Sequence, residues 1–325
     1  MSFMENYMNS VVNRKCDLLR TKNMDKTLVL VPNANMYFFP YIVDENIDVA
    51  SVCRPLGKVE NNMMRVIRRL NMPYPMFFGE WKKSLNKYSN VILFDMSFTP
   101  ALANYIKTHS NATVYVYLWN PIKSNNKMLR YVRMAQKSVE VFSYDKDDCD
   151  KYHMSFAPMM YSSNLNVEKA DVIYDLAFLG YAKDRVSQLK HYYNVFTKAN
   201  LKCNFYVVGD SQESQDGFTI SKSGLSYQEY LKMIASSKAI LDLVQSGQSG
   251  LSLRVLESVF LRKKLVTGNT RVKEYDLYRP ENIYVLQNNN IDGLFDFFQT
   301  PYVDLEESVV KKYDFKNWID HYIMR

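Results

Sequence analysis

Glycine is scarce in this chain of 325 residues: there are ten, about half the usual share. The few that occur therefore carry more positional meaning than usual. No GxGxxG follows the first strand-like run of either half, which argues against a dinucleotide oxidoreductase. No GxxxxGK followed by serine or threonine occurs either, which argues against a P-loop NTPase. Cysteine is equally sparse. Cys16, Cys53, Cys149 and Cys203 are widely spaced and form no CxxC, and a chain this long needs no disulfide staples. They read as reduced thiols of a cytosolic protein. His109, His153, His191 and His321 are scattered, with no HExxH and no His/Cys cluster, so no metal or other cofactor is expected. Long apolar runs are missing too. "TVYVYLW" at 113–119 falls far short of a membrane span, and the polar, mixed-charge start reads as a helix rather than an export signal.

What is present is enough to bury large cores. Hydrophobic residues make up 47% of the chain and aromatics 14%, with 25 tyrosines against 18 phenylalanines. That excess suggests many half-buried rings with a polar tip. The net charge of +7 favours anionic partners such as nucleotides or anionic lipid. Nucleic acid is not expected, because no recognised binding motif accompanies the charge.

Strand-like and helix-like runs alternate. "KTLVLVP" (26–32), "ENIDVASV" (45–52), "NVILFDM" (90–96), "ATVYVYLWN" (112–120) and "SVEVFSYD" (138–145) read as strands. Between them, 60–70, 99–110 and 125–136 read as helices. The first has an apolar face of Met63, Val66, Ile67 and Leu70, and the second has Thr99 as N-cap before Pro100. Residues 155–170 read as a connector. The pattern then restarts, with strands at 174–182, 202–210, 239–244, 263–269 and 282–286. Helices are expected at 184–200, 226–238, 250–262 and 307–323, the second opened by the capping box Ser226 and Glu229.

Two series of about five strands predict an α/β chain of two Rossmann-like β/α/β domains, 1–157 and 158–325, facing a cleft. The last helix is expected to pack back on the first domain. Ligands of such sheets bind beyond the strand C-termini. In the second half those positions hold "FLGYAKDR", with Gly180, Lys183 and Arg185, then "VVGDSQES", with Gly209, then "QSGQSGLSLRVLES" at 245–258. A glycine turn entering a helix exposes free N–H groups, which suit an anion. Gln248, Ser249, Gly250 and Ser252, with Leu251 among them, bring donors without bulk. Arg254 and Glu257 are neighbours on that helix, and Glu257 would accept from ribose hydroxyls. A plain helix cap with an Arg–Glu surface pair explains the same letters. Gly250→Val is expected to weaken nucleotide binding more than folding.

"SGLSLRVLESVFLRKKLVTGN" resembles the donor-site helix of GT-B glycosyltransferases. That likeness implies Glu257 on the ribose and Ser249–Ser252 at the diphosphate. The retaining enzymes' EX7E pattern is not met, since its first glutamate would fall at Ser249. "VYLWNPIKSNNKML", "VFSYDKDDCDKYHMSFAPMMYS", "YDLAFLGYAKDR" and the run 230–267 are similar to a bacterial lipopolysaccharide and capsular polysaccharide biosynthesis family. That family usually has aspartate where this chain has Asn120. The resemblance implies metal-independent transfer of a sugar from a nucleotide-sugar donor to a growing, lipid-linked surface glycan. UDP is the default nucleotide, and the expected place is the cytoplasm or the inner face of its membrane.

An inverting transferase needs a general base on the acceptor side. Asp95, ending "VILFD", and Glu80, beside Trp81, are the candidates. Arg65, Arg68 and Arg69, followed by Lys82 and Lys83, form a basic cluster suited to anionic lipid or lipid-linked phosphates. Two alternatives stay open. "DKDDCD" (145–150) contains DxD twice, which would serve a metal-dependent GT-A-like transferase, although aspartates at a helix start are also ordinary caps. The same scaffold also suits a non-catalytic nucleotide- or glycan-binding protein.

Overall fold

The computed structural model describes residues 26–122, 127–244, 249–286 and 291–325. The expected N-terminal helix, Cys16 and Gln248 lie outside them. The chain divides into two compact units, one comprising Met1–Ala34 with Val43–Tyr115 and the other Asn35–Ile42 with Val116–Arg325.

The first series runs β1 (Thr27–Val31), β2 (Ile47–Ser51), α1 (Lys58–Arg69), β3 (Asn90–Phe94), α2 (Pro100–His109), β4 (Thr113–Leu118), α3 (Lys127–Ala135), β5 (Glu140–Ser143), α4 (Lys146–Tyr152) and β6 (Ser155–Phe156). The strand order is β2-β1-β3-β4-β5-β6, and the unit boundary falls inside β4. β1 pairs in parallel with both β2 and β3, and all five residues of β1 and of β3 are buried. That explains their unbroken apolar runs, since a parallel sheet is covered on both faces. Thr99 caps α2 as expected, its hydroxyl accepting from Leu102 N at 3.1 Å. The start of the expected connector is instead β6, which pairs with β5.

Helix α1 departs from its expected packing. Of the apolar face, Met63, Val66 and Leu70 are exposed and Ile67 is half-buried, and Met64 is the buried residue. Arg68 explains the rotation. Its guanidinium donates to the carbonyls of Met96 (3.3 Å) and Ser97 (3.2 Å), so the Met64–Arg68 side faces the protein.

The second series runs β7 (Tyr174–Tyr181), α5 (Val186–Lys198), β8 (Cys203–Val208), β9 (Glu213–Gln215), β10 (Phe218–Ser221), α6 (Tyr227–Ala235), β11 (Ser237–Asp242), α7 (Leu253–Phe260), β12 (Lys264–Thr267), β13 (Ile283–Val285), α8 (Leu294–Gln299), α9 (Glu307–Tyr313) and α10 (Phe315–Trp318). The sheet order is β13-β12-β11-β7-β8-β10-β9. Six strands are parallel and β9 is an antiparallel edge. The β9–β10 hairpin was not expected, because "ESQDGFTIS" is short and polar. Its turn depends on Gly217, at φ +70°, where a Cβ would collide with the Cys203 carbonyl. β11 is therefore the fourth parallel strand of its series, not the third. The capping box of α6 forms as expected, with Ser226 Oγ accepting from Glu229 N and Glu229 accepting from Ser226 N.

The C-terminal helix is broken at Asp314 into α9 and α10. It is held by Trp318 Nε1 donating to the Pro158 carbonyl at 2.8 Å, the same carbonyl that accepts from Tyr117 Oη at 3.0 Å. Tyr161 exchanges backbone hydrogen bonds with Tyr313 and Phe315 on either side of the break.

Candidate functional site

In the second sheet the chain winds outward from β7 through β8 to β10, then returns to the other side of β7 with β11. The crevice beyond the ends of β7 and β11 is the switch point where α/β sheets take ligands. A cavity of about 520 Å³ opens there, lined entirely by residues of the second unit.

Its floor is built around Gly180. A Cβ at that position would lie 2.5 Å from Arg254 Nη2 and 3.0 Å from Arg185 Nη2, so the missing side chain makes room for two guanidinium groups. Both stand over the Phe178 ring, Arg185 at 5.2 Å and Arg254 at 4.9 Å from its centre. Arg185 donates to the carbonyls of Leu243 and Tyr181. Burial, reinforced by the neighbouring Arg254 charge, pulls its guanidinium down to about 10. Arg254 donates to the Leu179 carbonyl at 2.5 Å and faces Asp242 at 3.7 Å. Its buried Nε has no hydrogen-bond partner among the described residues. Asp242 is fully buried and accepts from Ser252 Oγ (2.8 Å) and Thr267 Oγ1 (2.9 Å). Ser252 thus starts α7 by position while its hydroxyl serves Asp242.

Glu257 lies one turn further along α7, at 1% exposure. Tyr227 donates to one of its oxygens at 3.0 Å and Tyr230 to the other at 2.6 Å. Burial raises its pKa, against the pull of those two hydroxyls and of Arg254. The pair Arg254 and Glu257 is therefore part of the cavity wall, not a surface ion pair. Tyr37, Trp119 and Tyr227 add flat apolar walls, with Tyr37 edge-on to Trp119 at 5.6 Å and to Tyr227 at 6.1 Å. Tyr181, 59% exposed, lines the rim.

The glycine turn before α7 is arranged otherwise than its letters suggest. Ser249 N (2.7 Å), Ser249 Oγ (2.5 Å) and Gly250 N (3.0 Å) all donate to the Asp145 carboxylate. Asp145 also caps α4 by accepting from Asp147 N and Asp148 N. A Cβ on Gly250 would sit 2.6 Å from the Tyr144 carbonyl and 2.7 Å from its ring. Gly250→Val therefore breaks packing first, which corrects the expectation that it would weaken nucleotide binding more than folding. Of "DKDDCD", Asp147 pairs with Arg271 at 2.6 Å, Asp148 accepts from Ile122 N at 2.5 Å, and Asp150 is exposed.

Of the expected donor residues, the cavity brings together Gly180, Lys183, Arg185, Ser252, Arg254 and Glu257. Gly209, Ser249, Gly250 and Leu251 are not in its lining. Gly209 instead packs closely on Ala182 and Ile220. Asp242 and the tyrosines were missed, since a strand-terminal aspartate and scattered aromatics carry no spacing signal. Asp95, in the first unit, follows β3 beside the end of β1, at that sheet's own switch point. It is 6% exposed, and its carboxylate accepts from Met96 N at 2.7 Å. Glu80 is 83% exposed and bonds Lys83 at 2.6 Å. Arg65 and Arg69 are exposed, and Lys82 donates to the Pro75 carbonyl at 2.9 Å.

No family model matches the chain. No curated protein matches it. Solved structures do. A glycosyltransferase from Rickettsia africae aligns over 91% of this chain and 96% of its own, with a TM-score of 0.51 and 12% identity. Anabaena HepE, solved in complex with UDP and glucose, aligns over 85% and 89%, with a TM-score of 0.42 and 9% identity. The likeness to the Rickettsia structure shows the fold: α/β, with two Rossmann-like halves.

Proposed function

We propose that the chain is a glycosyltransferase that takes a nucleoside-diphosphate sugar in the crevice beyond β7 and β11. The observation that carries this reading is the pair of guanidinium groups, Arg185 and Arg254, gathered over Phe178 in the space left by Gly180. The buried Arg185 and the half-buried Arg254 beside the exposed Lys183 suit a diphosphate, and the unpartnered Arg254 Nε supplies one more donor. Glu257 has lone pairs left beyond its two tyrosine bonds for a ribose hydroxyl. Tyr37, Trp119 and Tyr227 offer faces for the base or the sugar.

In the reaction, an acceptor hydroxyl attacks the anomeric carbon. The bond from that carbon to the diphosphate breaks, and the nucleoside diphosphate leaves with the charge that the arginines meet. Side-chain cations of this number support a metal-independent mechanism. Asp95 is the proposed base for the acceptor proton, with Glu80 as the second candidate. The acceptor side is read as a growing, lipid-linked surface polysaccharide, with the first half of the chain serving the acceptor and the second the donor. UDP is the first nucleotide to try, and the proposed setting is the cytoplasmic side of the membrane.

A thermal-shift panel of UDP, GDP, CMP and dTDP tests the donor site. One nucleotide is expected to raise the melting temperature of the wild-type protein, since a ligand of the folded state stabilises it by mass action. Arg254→Met is expected to lose that shift. A panel in which no nucleotide moves the wild-type protein counts against the reading. Tight nucleotide binding without transfer or donor hydrolysis would mark a binding protein on the same scaffold.

A further inference from the structure

Thirteen large hydrophobic residues are exposed among those described, and six of them fall within residues 59–76: Val59, Met63, Val66, Leu70, Met72 and Met76. The first four belong to α1 and its last turn, at 80%, 48%, 59% and 62% exposure. At about 100° per residue they share an arc of about 60°, so they form one ridge along the helix. The opposite side carries Met64, which is buried, and Arg68, which is tied to backbone carbonyls. The ridge therefore points outward on a helix that is anchored from behind.

The charges on this helix are one-sided. Lys58, Arg65 and Arg69 are exposed and lie on the same flank, about 90–130° round from the centre of the ridge. Glu60 is the one carboxylate in α1, and it is engaged by Arg54 at 2.6 Å and by the Gly57 N–H at 3.1 Å. An apolar stripe bordered by cations on an otherwise fixed helix has the form of an interfacial membrane helix, which lies in the plane of the bilayer. A second copy laid ridge to ridge would add the same cations, and its α1 would offer no carboxylate other than the Glu60 that Arg54 already engages. An anionic bilayer supplies both an apolar interior for the stripe and negative headgroups for its flank.

We infer that α1 is a membrane-docking helix whose Val59–Met63–Val66–Leu70 ridge enters an anionic bilayer. Lys58, Arg65 and Arg69 meet the headgroups, and Met72 and Met76 extend the apolar contact beyond the helix. Arg68 takes no part, because it serves the protein interior. This assignment stands without the transfer reaction, although it suits a lipid-linked acceptor.

The test uses the full chain in vesicle flotation, with phosphatidylcholine alone and with phosphatidylcholine containing phosphatidylglycerol. Binding to the anionic vesicles is expected, and it should weaken as salt is raised. The triple variant Met63→Ser/Val66→Ser/Leu70→Ser should bind at least about 10-fold more weakly, with an unchanged melting temperature because the residues are exposed. Lys58→Glu/Arg65→Glu/Arg69→Glu should lose at least about 100-fold on anionic vesicles. A Val66→Trp variant should show blue-shifted emission and quenching by brominated acyl chains beyond the wild-type background. Undiminished binding by the serine variant, or no added quenching, overturns the proposal. So does a dimer that the serine variant converts to monomer without any vesicle binding, which would assign the ridge to a second copy.

Discussion

The two sheets share a winding rule and differ in the chemistry at its turning point. In the first, the switch lies between β1 and β3, and the residue beyond β3 is the buried carboxylate Asp95. In the second, it lies between β7 and β11, and the residues beyond are two guanidinium groups over a phenylalanine ring. Parallel strands create a crevice wherever their order reverses. The few side chains placed just past the strand ends decide whether that crevice carries a carboxylate or a pair of cations.

The comparison breaks most sharply at Asp95. If it is the base, Asp95→Asn lowers the transfer rate by about 100-fold or more while the donor dissociation constant stays the same, as steady-state kinetics and calorimetry would report. Full activity in that variant removes Asp95 and leaves the first crevice with a purely structural carboxylate. Next in size is the crevice of the second sheet. Arg185→Met or Arg254→Met is expected to weaken nucleotide binding by about 30-fold or more, the cost of removing a charged donor from a desolvated site. Titration calorimetry that finds unchanged affinity in both variants would detach the arginines from the donor.

Gly180→Ala sharpens the same point with a smaller change. The added Cβ meets the far end of Arg254, a flexible side chain, so the guanidinium shifts while the fold holds. About 10-fold weaker binding with a destabilisation of about 1 kcal/mol is expected from paired binding and melting curves. A variant with wild-type affinity would show that the spacing of the two cations does not matter.

The smallest effect concerns Asp148, a second carboxylate past a strand of the first sheet. Burial pushes it up to about 6, against the pull of its hydrogen bond from Ile122 N. A carboxyl raised on folding adds stability below its unfolded value of about 3.8, and that contribution is lost as pH rises through about 6. Asp148→Asn should therefore flatten the melting temperature between pH 4 and pH 6 by about 2 °C, or about 1 kcal/mol. An identical profile in both proteins would show that the group does not titrate in this window.

Much of the frame was legible in the letters. Thr99 and the Ser226–Glu229 box are local devices whose partners lie within three residues, and both formed. The continuous apolar strands were legible because a sheet covered on both faces leaves no polar alternation. The misses are all non-local. α1 has a clear helical period, but which stripe faces inward depended on Arg68 reaching the loop after β3. The β9–β10 hairpin is polar and short, and it is held by pairing with β8. The N–H groups of Ser249 and Gly250 look free in the sequence, because Asp145, which takes them, lies more than a hundred residues away.

The sequence by itself determined the α/β alternation, the helix caps and the clustering of Gly180, Lys183, Arg185, Arg254 and Glu257 near strand ends. Those are consequences of hydrophobic period and short-range hydrogen bonding. Tertiary structure alone decided that Gly180 is the space for two guanidinium groups, that Glu257 is held by two tyrosines, and that an apolar stripe of α1 faces outward. Each of these depends on which distant groups fill the space around a side chain, and no local pattern records that.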